Sequence, residues 1–115
     1  MTVYYASRTG NVEAMIGKLG IAATKIESGS EVAESDFVLI TYTDGYGDIP
    51  AEVDAFLANN SSHLKGVITS GDTAYGEAFC GAGKAIAEKY GCKDLHHFEN
   101  DGTDEDVEAI SNLVK

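Results

Sequence analysis

The chain has 115 residues, 43% of them hydrophobic and 23% charged, with a single proline. That size and composition suit one folded domain spanning residues 1–115 and exclude a disordered, collagen-like or coiled-coil chain. Eight Lys and Arg against 19 Asp and Glu give a formal charge of -11, which argues against nucleic acid and anionic membranes as partners and favours basic protein surfaces.

No apolar run approaches the roughly 18 residues of a membrane span, and Met1-Thr2-Val3-Tyr4-Tyr5 lacks the basic and apolar regions of a signal peptide. The expected compartment is the cytoplasm. Cys80 and Cys92 form no C-x-x-C motif and read as free thiols.

Strand and helix signals alternate along the chain. The apolar stretch Val3-Tyr4-Tyr5-Ala6 gives way to the turn Ser7-Arg8-Thr9-Gly10-Asn11, then to Val12, Met15, Ile16 and Leu19 at helical spacing. A short Thr24-Lys25-Ile26 segment and a Ser28-Gly29-Ser30 turn precede Phe37-Val38-Leu39-Ile40, which reads as a strand buried on both faces and runs into Thr41-Tyr42-Thr43. Two glycines punctuate Asp44 to Ile49, and Pro50 is placed as the first residue of a helix carrying Val53, Phe56 and Leu57 on one face. Val67-Ile68-Thr69 predicts a strand, followed by a loop from Ser70 to Gly76 and a long helix with Phe79, Ala82, Ile86 and Tyr90 inward. A last strand is expected near Asp94 to Phe98. Thr103 as N-cap, with Asp106 three residues on, opens a closing helix that buries Val107, Ile110 and Val114.

Five strands and four helices in this order predict an α/β fold, with a parallel sheet in the order 2-1-3-4-5 and helices on both faces. Ligands of such sheets bind beyond the carboxyl ends of the strands, where the order reverses. Here those are the loops Ser7 to Asn11, Thr43 to Ile49 and Ser70 to Gly76. The first loop brings Ser7, Thr9, Asn11 and backbone N–H groups to a helix N-terminus, an arrangement suited to a phosphate. The same residues also describe a plain turn with an N-cap, and Arg8, the chain's only arginine, serves equally as a solvent-facing side chain. The second and third loops each carry a tyrosine, Tyr46 and Tyr75, among glycines and small polar residues. Each ring alone is as readily a half-buried loop anchor; together with an anion site they suggest a phosphorylated aromatic cofactor.

Competing motifs fail on their own residues. Gly81-Ala82-Gly83-Lys84-Ala85 lacks the first glycine of a Walker loop, since residue 78 is Ala78, and lacks its Ser or Thr, so it reads as helix interior. A receiver domain needs acids after the first strand and a late lysine, both missing; phosphotyrosine phosphatase chemistry needs an arginine after Cys80, and none follows. His96 and His97 alternate across a strand and so cannot easily ligate one metal, and no metal site is expected.

Taken together, Val3-Tyr4-Tyr5-Ala6-Ser7-Arg8-Thr9-Gly10-Asn11-Val12, Val38 to Pro50 with Thr43-Asp44-Gly45-Tyr46-Gly47, Leu64-Lys65-Gly66-Val67, Ser70-Gly71, Tyr75-Gly76 and Phe98-Glu99 with Gly102-Thr103 resemble the NrdI family of small flavodoxin-like proteins. The resemblance implies a flavodoxin-like three-layer sandwich with FMN as cofactor. It also implies a role as activator of class Ib ribonucleotide reductase: reduced flavin reacts with O₂ and supplies a superoxide-level oxidant that assembles the dimanganese-tyrosyl radical centre of the small subunit. The partners so implied are that small subunit, a separate reductant and O₂, with the protein expected as a monomer that docks transiently and does no substrate turnover of its own.

Carried over by position, Ser7, Arg8, Thr9, Gly10, Asn11 and Val12 would hold the phosphate. Thr43, Asp44, Gly45, Tyr46 and Gly47 would border the flavin ring, and Ser70, Gly71 and Tyr75 would cover its other side. The chain departs from the family pattern at Tyr75, where relatives often carry Trp or Phe, and at Asn100-Asp101 before Gly102-Thr103. A high negative charge with no basic residue in the two ring-facing loops should disfavour an anionic reduced flavin and ease electron loss. Seven acids and one lysine between residues 94 and 115 put net -6 there, a candidate docking surface. The alternatives are a general flavodoxin carrying single electrons between unrelated enzymes, and a flavin-free interaction module.

Overall fold

In the computed structural model, which describes residues 2–43, 47–73 and 80–114, the alternation resolves into β1 (Thr2–Tyr5), α1 (Asn11–Leu19), β2 (Thr24–Lys25), β3 (Phe37–Tyr42), α2 (Ala51–Asn60), β4 (Leu64–Gly71), α3 (Gly81–Tyr90), β5 (Lys93–Glu99) and α4 (Asp104–Val114). A single 3₁₀ turn, Ser61–His63, joins α2 to β4. The five strands form one sheet in the order β2-β1-β3-β4-β5, every neighbouring pair parallel. This is the order expected from the sequence.

The period-2 rule shows why both faces are covered. In β3, Phe37 and Leu39 pack on one side with Val53, Phe56 and Leu57 of α2 and Ile86 of α3, while Val38 and Ile40 face the other side, against Val12 and Met15 of α1 and Ile110 and Val114 of α4. A strand apolar at every position can be stable only between two such layers. Tyr4, Phe37 and Phe56 close the first layer as an aromatic trio with centroids 5.0 to 5.5 Å apart.

The helix ends follow their chemistry, with two adjustments. The Thr103–Asp106 box is reciprocal: the Asp106 N–H donates to Thr103 Oγ1 at 3.2 Å, and the Thr103 N–H donates to Asp106 Oδ2 at 2.9 Å. Pro50 is the N-cap of α2 rather than its first residue, because its ψ of 140° is extended and its carbonyl accepts the N–H groups of Val53 and Asp54. Gly81 to Ala85 form the opening turn of α3, not its interior. A Cβ on Gly81 would fall 2.6 Å from the Gly47 Cα, so the close approach of the second loop to α3 requires glycine there. Phe79 lies outside the described residues.

One long connection, between β2 and β3, carries no helix and is held by side chains instead. Buried Asn60 accepts the Ala33 N–H at 2.8 Å and donates to the carbonyls of Glu31 and Phe56. The Glu31 carboxylate accepts the N–H groups of Glu27, Ser28 and Gly29. These bonds satisfy backbone groups that a helix would have paired internally.

Candidate functional site

Strands β1, β3 and β4 lie side by side and end at the same edge, so the loops that follow them converge. The Ala6 N–H still bonds to the Ile40 carbonyl at 3.0 Å as the chain leaves the sheet. Gly10 then turns it into α1 with φ 93°, a value that favours glycine. Ser7 Oγ accepts the Glu13 N–H at 3.3 Å. Helix geometry leaves the N–H groups of Asn11 and Val12 without intrahelical partners, and the dipole makes that end attractive to an anion.

Between these loops lies a concavity of about 320 Å³, within the range of small-ligand sites. Six of the residues expected from the sequence line it: Arg8, Thr9 and Asn11 from the first loop, Thr43 from the second, Ser70 and Gly71 from the third. Ser7 lines an adjoining, more open hollow with Glu27, Ser28 and Glu52, and Arg8 and Tyr42 border both. Val12 has its side chain wholly in the core, so only its backbone can serve a ligand. Gly47 packs against the start of α3. Asp44, Gly45, Tyr46 and Tyr75 lie outside the described residues.

Four further lining residues, Tyr42, Asp72, Cys80 and Asn100, were not among the site residues expected from the sequence, although Asp72 falls within the third loop and Asn100 was noted as a departure from the family pattern. Among the described residues, Cys80 and Asn100 are the two non-glycine residues with positive φ, at 54° and 52°. Asn100 is pinned at the rim: its N–H donates to the Gly71 carbonyl at 2.9 Å, and its carbonyl accepts the Ser70 hydroxyl at 2.6 Å. The Asn-Asp-Gly sequence after β5 is a turn signal that tolerates this conformation. Nothing in the pattern marks Cys80.

The chemistry of the wall is mostly neutral. Burial pushes the Cys80 thiol up to about 12, and its sulfur faces the Thr69 carbonyl at 3.3 Å, so it is a packing group and not a nucleophile. Burial, then the hydrogen bond to Glu52, pushes the Tyr42 hydroxyl up to about 12; that hydroxyl donates to Glu52 Oε2 at 2.6 Å. The Arg8 guanidinium lies over the Tyr42 ring, 4.9 Å from its centroid. Among the described lining residues Arg8 is the one cation and Asp72 the one acid. Thr43 Oγ1 is buried with no hydrogen-bond partner among the described residues, a polar atom in the wall of a ligand-sized space that a bound molecule could satisfy.

The histidines lie elsewhere and apart. His96 Nε2 meets Asp106 Oδ1 at 2.8 Å, whereas His97 Nε2 meets Asp94 Oδ2 at 2.7 Å. Among the described residues no group of three His, Cys, Asp or Glu side chains could hold a metal ion, and no helix is long and apolar enough to cross a membrane.

The chain is similar to known proteins along its length. The family described as NrdI flavodoxin like matches residues 3–112. The curated Protein NrdI of Brucella ovis and that of Brucella canis are each 39% identical over 121 aligned positions, covering 97% of this chain and 90% of theirs. Among solved structures, a short-chain flavodoxin associated with a non-canonical PDU bacterial microcompartment superposes with a TM-score of 0.66 at 23% identity, covering 97% of this chain and 91% of that one; this likeness speaks to the fold alone. A family match over residues 3–112, joined to relatives of this identity and coverage, means that the protein belongs to the NrdI flavodoxin-like family.

Proposed function

We propose that the protein binds FMN in this concavity and serves as the flavin activator of a class Ib ribonucleotide reductase, working in the cytoplasm as a single-domain monomer that docks transiently on the dimanganese small subunit. The observation that carries the cofactor assignment is the Thr43 hydroxyl, which has no partner among the described residues, in the wall of a space that also ends at the α1 N-terminus. A ligand that satisfies both needs a polar ring edge and an anionic tail, and FMN has both. Membership of the family supports the reductase role.

In this reading Thr9, Asn11 and the N–H groups of α1 receive the phosphate, with Arg8 adding the one positive charge among the described lining residues. Thr43 and the Ser70-Gly71 backbone border the ring, together with Asp44, Gly45, Tyr46 and Tyr75 as expected from the sequence. Bound there, FMN would supply electron transfer from a reductant to O₂, and so the superoxide-level oxidant for the manganese centre. The chain's own part is orientation, polarity and access. Asp72 places a negative charge in the wall, which works against accumulation of further negative charge beside it.

The test is a paired titration of apo-protein with FMN and riboflavin, followed by quenching of flavin fluorescence. Tight FMN binding with much weaker riboflavin binding is expected; equal or absent binding refutes the cofactor assignment. The reduced holoprotein, exposed to O₂ beside a manganese-loaded small subunit, should then generate the tyrosyl radical signal. A selective FMN protein that fails to do so would leave the general electron carrier as the function.

A further inference from the structure

Tyr42 is the last residue of β3, held in the sheet opposite Ser70. Its ring carries the Arg8 guanidinium at 4.9 Å from the centroid, and its hydroxyl is anchored to Glu52 of α2 at 2.6 Å. Both Tyr42 and Arg8 border the ligand concavity and the adjoining hollow, so the pair forms part of the partition between them. Arginine has many rotamers and is costly to order when a ligand arrives. A guanidinium already resting on a fixed aromatic face has met part of that cost in the free protein.

We propose that Tyr42 is a positioning residue: its ring holds Arg8 at the mouth of the concavity, and thereby tunes selectivity for the phosphorylated over the unphosphorylated form of the flavin. This rests on the FMN reading above. Glu52 acts one step further out, fixing the ring through the phenol, which stays protonated across the physiological range. The guanidinium, stacked on the ring, carries its N–H donors in a fixed fork whose geometry suits phosphate oxygens.

The experiment measures dissociation constants of FMN and riboflavin for the wild type, Tyr42→Leu, Tyr42→Phe, Arg8→Ala and the Tyr42→Leu/Arg8→Ala double variant, with circular dichroism to check the fold. Tyr42→Leu is expected to weaken FMN about fivefold while moving riboflavin less than about twofold. Tyr42→Phe, which keeps the ring, recovers most of the loss. In the Arg8→Ala background Tyr42→Leu has no further effect on FMN, and this cycle decides the matter where riboflavin binds too weakly to measure. Parallel loss of both flavins, or full additivity in the double variant, overturns the proposal. If the wild type is FMN-selective and Tyr42→Leu stays equally selective, only the positioning role falls; if the wild type does not discriminate, the FMN reading falls and takes this inference with it.

Discussion

Gly10 offers the sharpest test of the phosphate loop, because backbone strain and charge can be separated there. The residue caps α1 at φ 93° and ψ -2°, and a Cβ at that position would meet no atom within 4 Å. Gly10→Ala therefore brings strain without collision. A left-handed conformation costs an L-residue about 1–2 kcal/mol, and a φ beyond the usual value of about 57° puts this site at the upper end. Alanine also restricts the unfolded chain, offsetting roughly 0.4–1 kcal/mol. The net loss is about 1 kcal/mol, or a fall in Tm of about 4 °C for a domain of this size.

Gly10→Asp carries the same strain and adds a carboxylate. A unit charge about 5 Å from a phosphate dianion, in an effective dielectric of about 40 to 80, costs about 2–3 kcal/mol, roughly a 30- to 150-fold loss of affinity. Thermal melts of the two variants should thus agree within a few degrees, while FMN titrations should separate them by more than tenfold and riboflavin titrations should not. Equal FMN affinities for Gly10→Ala and Gly10→Asp would show that the α1 turn does not face the phosphate, and the site would need another anchor.

Thr43→Val replaces a buried hydroxyl that has no partner among the described residues with a methyl group of similar shape; the apo-protein should gain up to about 1 kcal/mol while FMN binding weakens, as melts with and without FMN would show. The Glu31 carboxylate is desolvated, which alone would raise its pKa, yet the N–H groups of Glu27, Ser28 and Gly29 outweigh this and hold it below the usual range. Asp106 behaves likewise, desolvation being outweighed by the Thr103 N–H and His96. Because both folded values lie below the unfolded ones, their stabilisation is fully present above about pH 5 and is lost as pH falls through the folded values. Tm measured from neutral to acid pH should fall less steeply in Glu31→Gln and Asp106→Asn, and unchanged slopes would remove these groups from acid unfolding.

The sheet order was legible because apolar period and turn chemistry agree throughout: continuous apolarity in Phe37 to Ile40 demanded two covered faces, and the Thr103–Asp106 spacing specified a helix start. The candidate concavity was legible where it coincides with the start of a helix, as at Thr9 and Asn11. It was obscured where one residue type serves two purposes. Val12 adjoins the proposed phosphate loop in sequence, but its helical spacing to Met15 already assigns its side chain to the core. Tyr42 ends a hydrophobic strand and so reads as packing, although its ring faces Arg8. Cys80 enters the wall only because it adopts a left-handed conformation ahead of α3, and no periodicity encodes that for a cysteine. Pro50 shows the limit at element ends, since proline fixes φ but leaves ψ to decide between the cap and the first turn.

Charge poses the remaining physical question, since under the proposed function a chain of net charge -11 would have to capture a dianion. Near the concavity, Asp72 stands in the wall, Glu99 accepts the Thr73 hydroxyl, and Asp101 is paired with Lys18 at 3.3 Å. Asp104, Glu105 and Glu108 stand on α4, beyond the lining. Attraction is therefore short-ranged, from α1 N–H groups and Arg8, whereas repulsion is long-ranged and falls away over a Debye length of about 8–10 Å near physiological salt. Raising salt should screen the repulsion more than the contacts. The association rate for FMN, followed by stopped-flow quenching, is thus expected to rise severalfold between low and physiological ionic strength, opposite to the behaviour of a basic phosphate binder. A rate that falls with salt would mean that the local field of Arg8 and the α1 terminus dominates the encounter, and that the acidic surface plays no part in governing access to the site.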